Sequence, residues 1–429
     1  MYNGLTQPLY VHTYENFEPG KDQVLYSGPY WNGTELQSAI TALTEGRWIT
    51  SGENVSKFER LFAKKFNVKH ALMVNSGSSA NLVMIAALKK KYRWKYGEND
   101  QVMVSPVGFP TTIAPLVQNG LKPMFVDIEW DTLNFDLNKL KEKITDRTVA
   151  IFVSPVLGNP PNMDIIANFA NNYGLKLIGD NCDSLGTKWD GHHIGEFYDV
   201  WSTSFYPAHH ISTGEGGMVC SNDEELIDLA RSFAWWGRGC YCVGSANLLP
   251  EGTCKERFCC HLKDLPEFEN TVIDHKYVFE NMGYNLKPLD LQGAIGLEQL
   301  KKFDEIESKR KAAFNHICGF IHKRFGGHNA KVVDQLPQAD VCWFGVPIIC
   351  DSKEIKESLV KHFESNKIQT RHYFAGNILA HPAYRTLDNY KHYPNANEVL
   401  NKVFFLGVNP NWNDVVFAYI EKVVKKWKI

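Results

Sequence analysis

Between residues 70 and 236, short apolar runs alternate with segments of helical spacing, and this alternation limits the fold more than any other feature. HALMVN (70–75), QVMVSP (101–106), PMFVD (123–127), TVAIFVSP (148–155), LKLIGD (175–180) and MVCS (218–221) read as strands. Helices are predicted over 78–92, 111–118, 136–144, 163–173 and 224–236. Strand–helix alternation of this period implies an α/β fold with a mostly parallel sheet covered on both faces. Upstream, Val55, Phe58, Leu61, Phe62 and Phe66 recur at helical spacing, which predicts a helix over 53–66, with another over 35–46.

The pattern breaks over 237–275, a stretch rich in Cys, Gly and Pro with little periodicity. Beyond a link at 281–290, a long helix is predicted over 291–325, then a strand near 341–349, a helix over 352–365 and a final helix. A chain of 429 residues is long enough for two cores. The expected division is an arm and helix (1–50), a large ligand-binding domain (51–285) and a smaller C-terminal α/β domain (286–429).

Hydrophobic residues make up 44% and charged residues 22%, with a net charge of −2, as expected of a globular protein rather than a disordered one. No long basic run argues for nucleic acid or an anionic membrane as partner. No apolar run is long enough to span a bilayer, and the first residues show no charged-then-apolar leader pattern, so a cytoplasmic location is expected. In that compartment ten cysteines do not imply a disulfide framework.

Ligands of parallel α/β sheets bind at the carboxyl ends of the strands. The polar residues that stand out lie there. Ser76-Gly77-Ser78-Ser79 joins a strand end to a helix start, where glycine allows a tight turn and free N–H groups face an anion. It also fits an ordinary helix cap. Phe109 follows the second strand and fits either a core ring or a stacking platform, and Asp180 ends LKLIGD as a cap or as the partner of a ligand nitrogen. Ser204–Gly217, SFYPAHHISTGEGG, reads as a strand end, a tight loop and a glycine turn.

In this order, SGSSA, GFPTT, FVDI, GDNCDSLG, SFYPAHHISTGEGG and GYNLKPLDLQGAIGLEQL resemble the DegT/DnrJ/EryC1/StrS family of pyridoxal-phosphate (PLP) dependent sugar-modifying enzymes, from about residue 28 onward. The resemblance implies the aspartate aminotransferase (type I) fold and a homodimer with shared sites. It implies that Gly77, Ser78 and Ser204 hold the cofactor phosphate, that Phe109 stacks on the pyridine ring and that Asp180 pairs with the ring nitrogen. Asn285 would reach the phosphate across the dimer interface.

Two positions depart from the family pattern. Asp183 stands where a glutamine is usual, and His209 stands where the family's lysine anchors the cofactor aldehyde. Imidazole forms no stable imine but serves as a general base near neutral pH. That favours pyridoxamine phosphate (PMP) as a dissociable coenzyme. The replacement resembles the family's PMP-dependent 3-dehydrases of 3,6-dideoxysugar synthesis, in which His209 would be the base and Tyr206 its helper. His210 is the less favoured histidine. The substrate implied is a nucleotide-linked 4-keto-6-deoxyhexose, with CDP expected as the nucleotide. Trp343, Phe344, Arg371 and His372 are candidate substrate-side residues, with core packing an equal explanation for the first two.

One branch of these dehydrases also carries a two-iron two-sulfur (2Fe-2S) cluster fed by a separate flavin/iron–sulfur reductase. Its spacing of cysteines is matched here: fifty-seven residues separate Cys182 from Cys240, and one separates Cys240 from Cys242. The fourth ligand implied is Cys254, with Cys259 and Cys260 as alternatives, because Pro250 occupies the usual position. Tetrahedral zinc is the competing metal. Cys220, Cys318, Cys342 and Cys350 sit in apolar segments and read as core residues. The remaining alternatives are a sugar aminotransferase with an unusual base, a cluster-free PMP dehydratase and a non-catalytic cofactor-binding protein.

Overall fold

The computed structural model describes residues 14–46, 48–95, 100–240, 257–258, 260–261 and 265–428. Helices α1 (Gly33–Glu45) and α2 (Glu53–Lys65) precede a sheet built from β1 (His70–Val74), β2 (Gln101–Val104), β3 (Lys122–Phe125), β4 (Thr148–Val153), β5 (Lys176–Asp180), β6 (Val200–Ser204) and β7 (Gly217–Ser221). The seven strands lie in the order β1-β7-β6-β5-β4-β2-β3. From β3 to β6 every pairing is parallel, as the alternation predicts, and the fold is mixed α/β with a mainly parallel sheet. Only β7 runs antiparallel to its neighbours β6 and β1. That reversal is not legible beforehand, because a strand buried on both faces reads the same in either direction.

The crossover helices are α3 (Gly77–Lys91), α4 (Pro110–Gln118), α5 (Leu137–Lys143), α6 (Met163–Asn172) and, after β7, α7 (Glu224–Ala234). Along α3, Ala80, Val83, Met84, Ile85, Ala87 and Leu88 are all buried, which leaves it apolar around most of its circumference. It is sandwiched between the sheet and α7, with Ser76 capping its first turn through the Ser79 N–H at 3.0 Å.

Helix α8 (Asp290–Phe325) spans 36 residues and ends at Gly326, whose left-handed φ of 55° closes the last turn. It starts by capping a neighbour. Asp290 accepts from the Gly52 and Val55 N–H groups at 2.9 and 3.0 Å, doing for α2 what Gly52 cannot. Nearly two turns on, a Cβ at Gly296 would lie 2.6 Å from the Phe58 ring, so the two helices meet here only over a glycine. Helix α8 thereby becomes a beam against α1 and α2, with its inner face toward the loop after β6.

Beyond α8 a second, antiparallel sheet forms from β8 (Ala330–Val332), β9 (Gly345–Cys350), β10 (Thr370–His372) and β11 (Val403–Gly407), in the order β8-β9-β11-β10. Helices α9 (Lys353–Ser365), α10 (Pro394–Lys402) and α11 (Asp414–Lys426) complete it. The strand expected over 341–349 begins only at Gly345. Residues 341–344 are apolar because they are buried, Trp343 lying stacked on Phe314 at 4.3 Å. Among the described residues no helix is long and apolar enough to cross a membrane.

Candidate active site

The sheet register assembles the site. Gly217 pairs with Val74 on one side and Ser204 on the other, and Asp180 pairs with Ser202. The strand ends leading to Ser76-Gly77, Asp180 and Ser204 are therefore neighbours. Gly77 is enclosed: a Cβ there would lie 2.5 Å from the Ser204 Cβ and 2.9 Å from the Cys182 Sγ. Gly77 and exposed Ser78 open α3, where the first N–H groups have no partner within the helix and carry the positive end of its dipole. Such an arrangement is able to cradle an anion, with the Ser204 hydroxyl beside it.

Asp180 lies at the floor, 4% exposed. Its Oδ2 accepts from Asn81 Nδ2 at 2.8 Å and from Thr112 Oγ1 at 2.7 Å, and its Oδ1 accepts from the Cys182 N–H at 3.2 Å. Asn81 is held in turn by the Ser202 hydroxyl at 2.5 Å. Three donors fix this buried carboxylate in one orientation. Phe109, at the start of α4, is 52% exposed, with its ring edge-on to Phe374 at 5.8 Å. Half-exposed, this ring is not a core ring and is available as a platform for a flat ligand.

His209 and Asp183 meet: His209 Nδ1 lies 3.6 Å from Asp183 Oδ1. The imidazole also rests against Phe344 at 5.1 Å, with the Tyr206 ring 6.3 Å away. Burial, reinforced by the nearby Asp180 carboxylate, pushes the Asp183 carboxyl up to about 7. Burial and then the Arg310 guanidinium push His209 down to about 3. At neutral pH the imidazole is therefore neutral and able to accept a proton, while Asp183 is poised between its two forms. His210 faces the other way. It is 2% exposed, its Nε2 lies 2.9 Å from the Cys342 carbonyl oxygen, and it serves the core.

Beside these residues opens a cleft of about 470 Å³, lined by Tyr26, Phe109, Phe344, Arg371, His372 and Tyr384 among others. The Arg371 guanidinium stacks over Tyr26 at 4.2 Å. Phe344, Arg371 and His372 are thus at the cleft, whereas Trp343 is in the core.

The sequence pattern of the DegT/DnrJ/EryC1/StrS aminotransferase family matches residues 32–426. The chain belongs to this family. It is 36% identical over 426 residues to a lipopolysaccharide biosynthesis protein of Salmonella typhimurium, covering 96% of this chain and 92% of the relative. It is 37% identical over 423 residues to the dTDP-4-dehydro-2,6-dideoxy-D-glucose 3-dehydratase of Saccharopolyspora spinosa, covering 96% and 88%. Among solved structures, the E. coli GDP-4-keto-6-deoxy-D-mannose-3-dehydratase with bound hydrated PLP superposes with a TM-score of 0.79 at 32% identity. The match covers 94% of this chain and all of that one. The fold is that of the type I PLP-dependent sugar aminotransferases and dehydratases.

In this member of the family, Asn285 is not among the residues joined around Asp180: it is exposed and accepts a hydrogen bond from Lys287. Cys182 points its Sγ at Gly77, and burial raises its thiol well above the usual range. Cys240 is partly buried, while Cys242, Cys254 and Cys259, with the side chain of Cys260, lie outside the described residues. Among the described residues no three His, Cys, Asp or Glu side chains form a metal-binding group. Sequence reasoning missed Asn81, Thr112, Tyr26 and Arg310. Asn81 left a signal, a lone amide in the apolar run NLVMIAAL, and Thr112 sits in GFPTT beside Phe109. Arg310 left none, since a charged residue in ESKRKAAF resembles any solvated helix face.

The raised carboxyl has a consequence for stability. Folded Asp183 keeps its proton up to about pH 7, whereas the unfolded carboxyl releases it near 3.8. Its contribution is therefore complete below about pH 4 and is lost as pH rises through about 7. Urea unfolding of the coenzyme-free protein at pH 4 to 8 should show wild type losing stability relative to Asp183→Asn across this window. Parallel curves for the two proteins would contradict the assignment.

Proposed function

We propose that this protein is a PMP-dependent 3-dehydrase acting on a nucleotide-linked 4-keto-6-deoxyhexose, removing the hydroxyl at carbon 3. The observation that carries the reading is the occupant of the loop after β6. No lysine stands between Ser204 and Gly217, and His209, beside Asp183, takes the place of the family's anchor.

The residues present fit the coenzyme. The Gly77 cradle leaves no room for a Cβ, which suits backbone N–H groups approaching a phosphate. Buried Asp180 suits a protonated pyridine nitrogen, and exposed Phe109 suits the ring face. When bound, PMP supplies an amine that condenses with the keto group and a ring that accepts electrons. Gly77, Ser78 and Ser204 hold the phosphate, and Asp180 and Phe109 fix the ring. His209 accepts a proton from the coenzyme's methylene carbon, with Asp183 opposite its Nδ1 to balance the charge that the imidazole gains. Tyr206, 48% exposed, orients the substrate from the loop's outer side. Exposed Asn285 reaches the phosphate of a second copy in a homodimer.

We also propose that Cys182, Cys240, Cys242 and Cys254 would hold a 2Fe-2S cluster, which would supply one-electron transfer between a separate reductase and the dehydrated sugar. The cysteine spacing supports this, and Cys182 adjoins the coenzyme cradle through Gly77. The nucleotide proposed is CDP.

Anaerobically purified protein should contain iron and acid-labile sulfide in equal amounts, and Cys182→Ser should lose both. Iron-free wild type would remove the cluster from the proposal while leaving dehydration to be judged separately. With PMP and a reductase, CDP-4-keto-6-deoxyglucose should lose its 3-hydroxyl faster than dTDP- or GDP-linked sugars. Preference for another nucleotide would overturn the CDP assignment, and transamination without loss of the hydroxyl would overturn the dehydrase reading.

A further inference from the structure

The loop that carries His209 is gripped by a buried arginine on α8. Arg310 has no exposed surface, and its Nη2 donates to the carbonyl oxygens of Ala208 at 2.8 Å and His209 at 3.0 Å. Those two carbonyls belong to the peptide planes on either side of the His209 α-carbon. Holding both fixes the direction in which the imidazole leaves the backbone. Two further fastenings act nearby: Ser27 Oγ donates to the Ala208 carbonyl at 2.8 Å, and the His209 N–H donates to the Tyr206 carbonyl at 2.9 Å.

The same helix holds the loop a second time. Gln299 Oε1 accepts from the Ser212 N–H at 3.2 Å, and its Nε2 donates to the Tyr30 carbonyl and to Glu35. Positions 299 and 310 are eleven residues apart, or about three helical turns, and therefore share one face of α8. A single rigid element thus clamps the loop on both sides of Ile211.

Stability does not account for the arginine. A buried guanidinium is expensive to desolvate unless it is paired and its donors are satisfied. Among the described residues Arg310 makes no salt bridge, and its Nε and Nη1 have no hydrogen-bond partner. An apolar side chain of similar length would fill the space without that burden. Both bonds leave the single Nη2, whose two hydrogens are held in the guanidinium plane; an apolar side chain supplies neither bond, and a lysine ammonium would carry its donors on a shorter, freely rotating stem.

We propose that Arg310 is a positioning residue for His209, holding its backbone so that the imidazole meets the reacting carbon. This rests on the reading of His209 as the proton acceptor. A small misplacement of a catalytic group costs far more in turnover than in binding.

The test pairs steady-state kinetics with hydrogen–deuterium exchange in wild type, Arg310→Met, Arg310→Lys and the milder Ser27→Ala. Arg310→Met should lower kcat about tenfold or more with KM within about twofold. Amides of residues 206–212 should exchange faster while the central sheet keeps its protection. Arg310→Lys should recover part of both effects, and Ser27→Ala should show a smaller version of them if Arg310→Met does not fold. Unchanged exchange in the loop, uniform loosening of the whole protein, or unchanged kcat with a loosened loop would each overturn the proposal. If wild type itself shows no dehydration, the functional reading fails, and the exchange data still decide whether Arg310 fastens the loop.

Discussion

Three strand ends must lie side by side for this site to exist: the antiparallel strand β7 joins the ends of β1 and β6, and the parallel pairing of β5 with β6 adds Asp180. Gly217 pairs with both Val74 and Ser204, so the anion cradle at Gly77 and the loop carrying His209 are held in one register. Close contact enforces it. A Cβ at Gly217 would lie 2.4 Å from the Ser76 carbonyl oxygen, and one at Gly77 would meet Ser204 and Cys182. Side chains at either position would push the cradle and the strand ends apart. The remaining parts of the site are fitted to this frame: Asp180 by its three donors, His209 by the grip of α8.

Within the frame, charge is distributed unevenly. Asp180 is satisfied by hydrogen bonds, whereas among the described residues Asp183, three residues on, accepts only from the Leu157 N–H at 3.3 Å and feels the Asp180 charge. One carboxyl therefore holds its proton toward neutrality and the other is firmly fixed. Arg310 lies close enough to disfavour imidazolium at both His209 and His210. Two adjacent histidines then diverge through geometry alone, one facing Asp183 and resting against Phe344, the other bound to the Cys342 carbonyl. A lysine in place of His209 would bring a reactive amine to this spot, and the imidazole brings only a proton acceptor.

Much of this was legible in the sequence, for identifiable reasons. The central strands and helices follow from alternation, and the strand-end residues Gly77 and Asp180 follow from where parallel sheets bind ligands, whereas Ser204 was marked by the family resemblance. The antiparallel direction of β7 and the short helix α10, with Ala396 and Val399 its only buried positions, gave no distinctive pattern. Residues 341–344 looked like a strand because burial, not pairing, made them apolar. The supporting residues were the least legible. Asn81, Thr112 and Arg310 act through partners about 70 to 100 positions away, and such partners become neighbours only once the sheet has formed. The family resemblance marked the residues proposed to meet coenzyme, while the structure was needed to find those that hold them.

On the proposed function, His209 moves a proton where the family's lysine would anchor a cofactor. The most direct measurement is loss of deuterium from PMP labelled at its methylene carbon, followed by mass spectrometry during incubation with protein and nucleotide-linked 4-keto sugar. Wild type should release one of the two deuterons stereospecifically, and His209→Asn should slow that release at least about 100-fold. Equal rates of release in the two proteins, with the variant folded and binding PMP, would show that another group is the base.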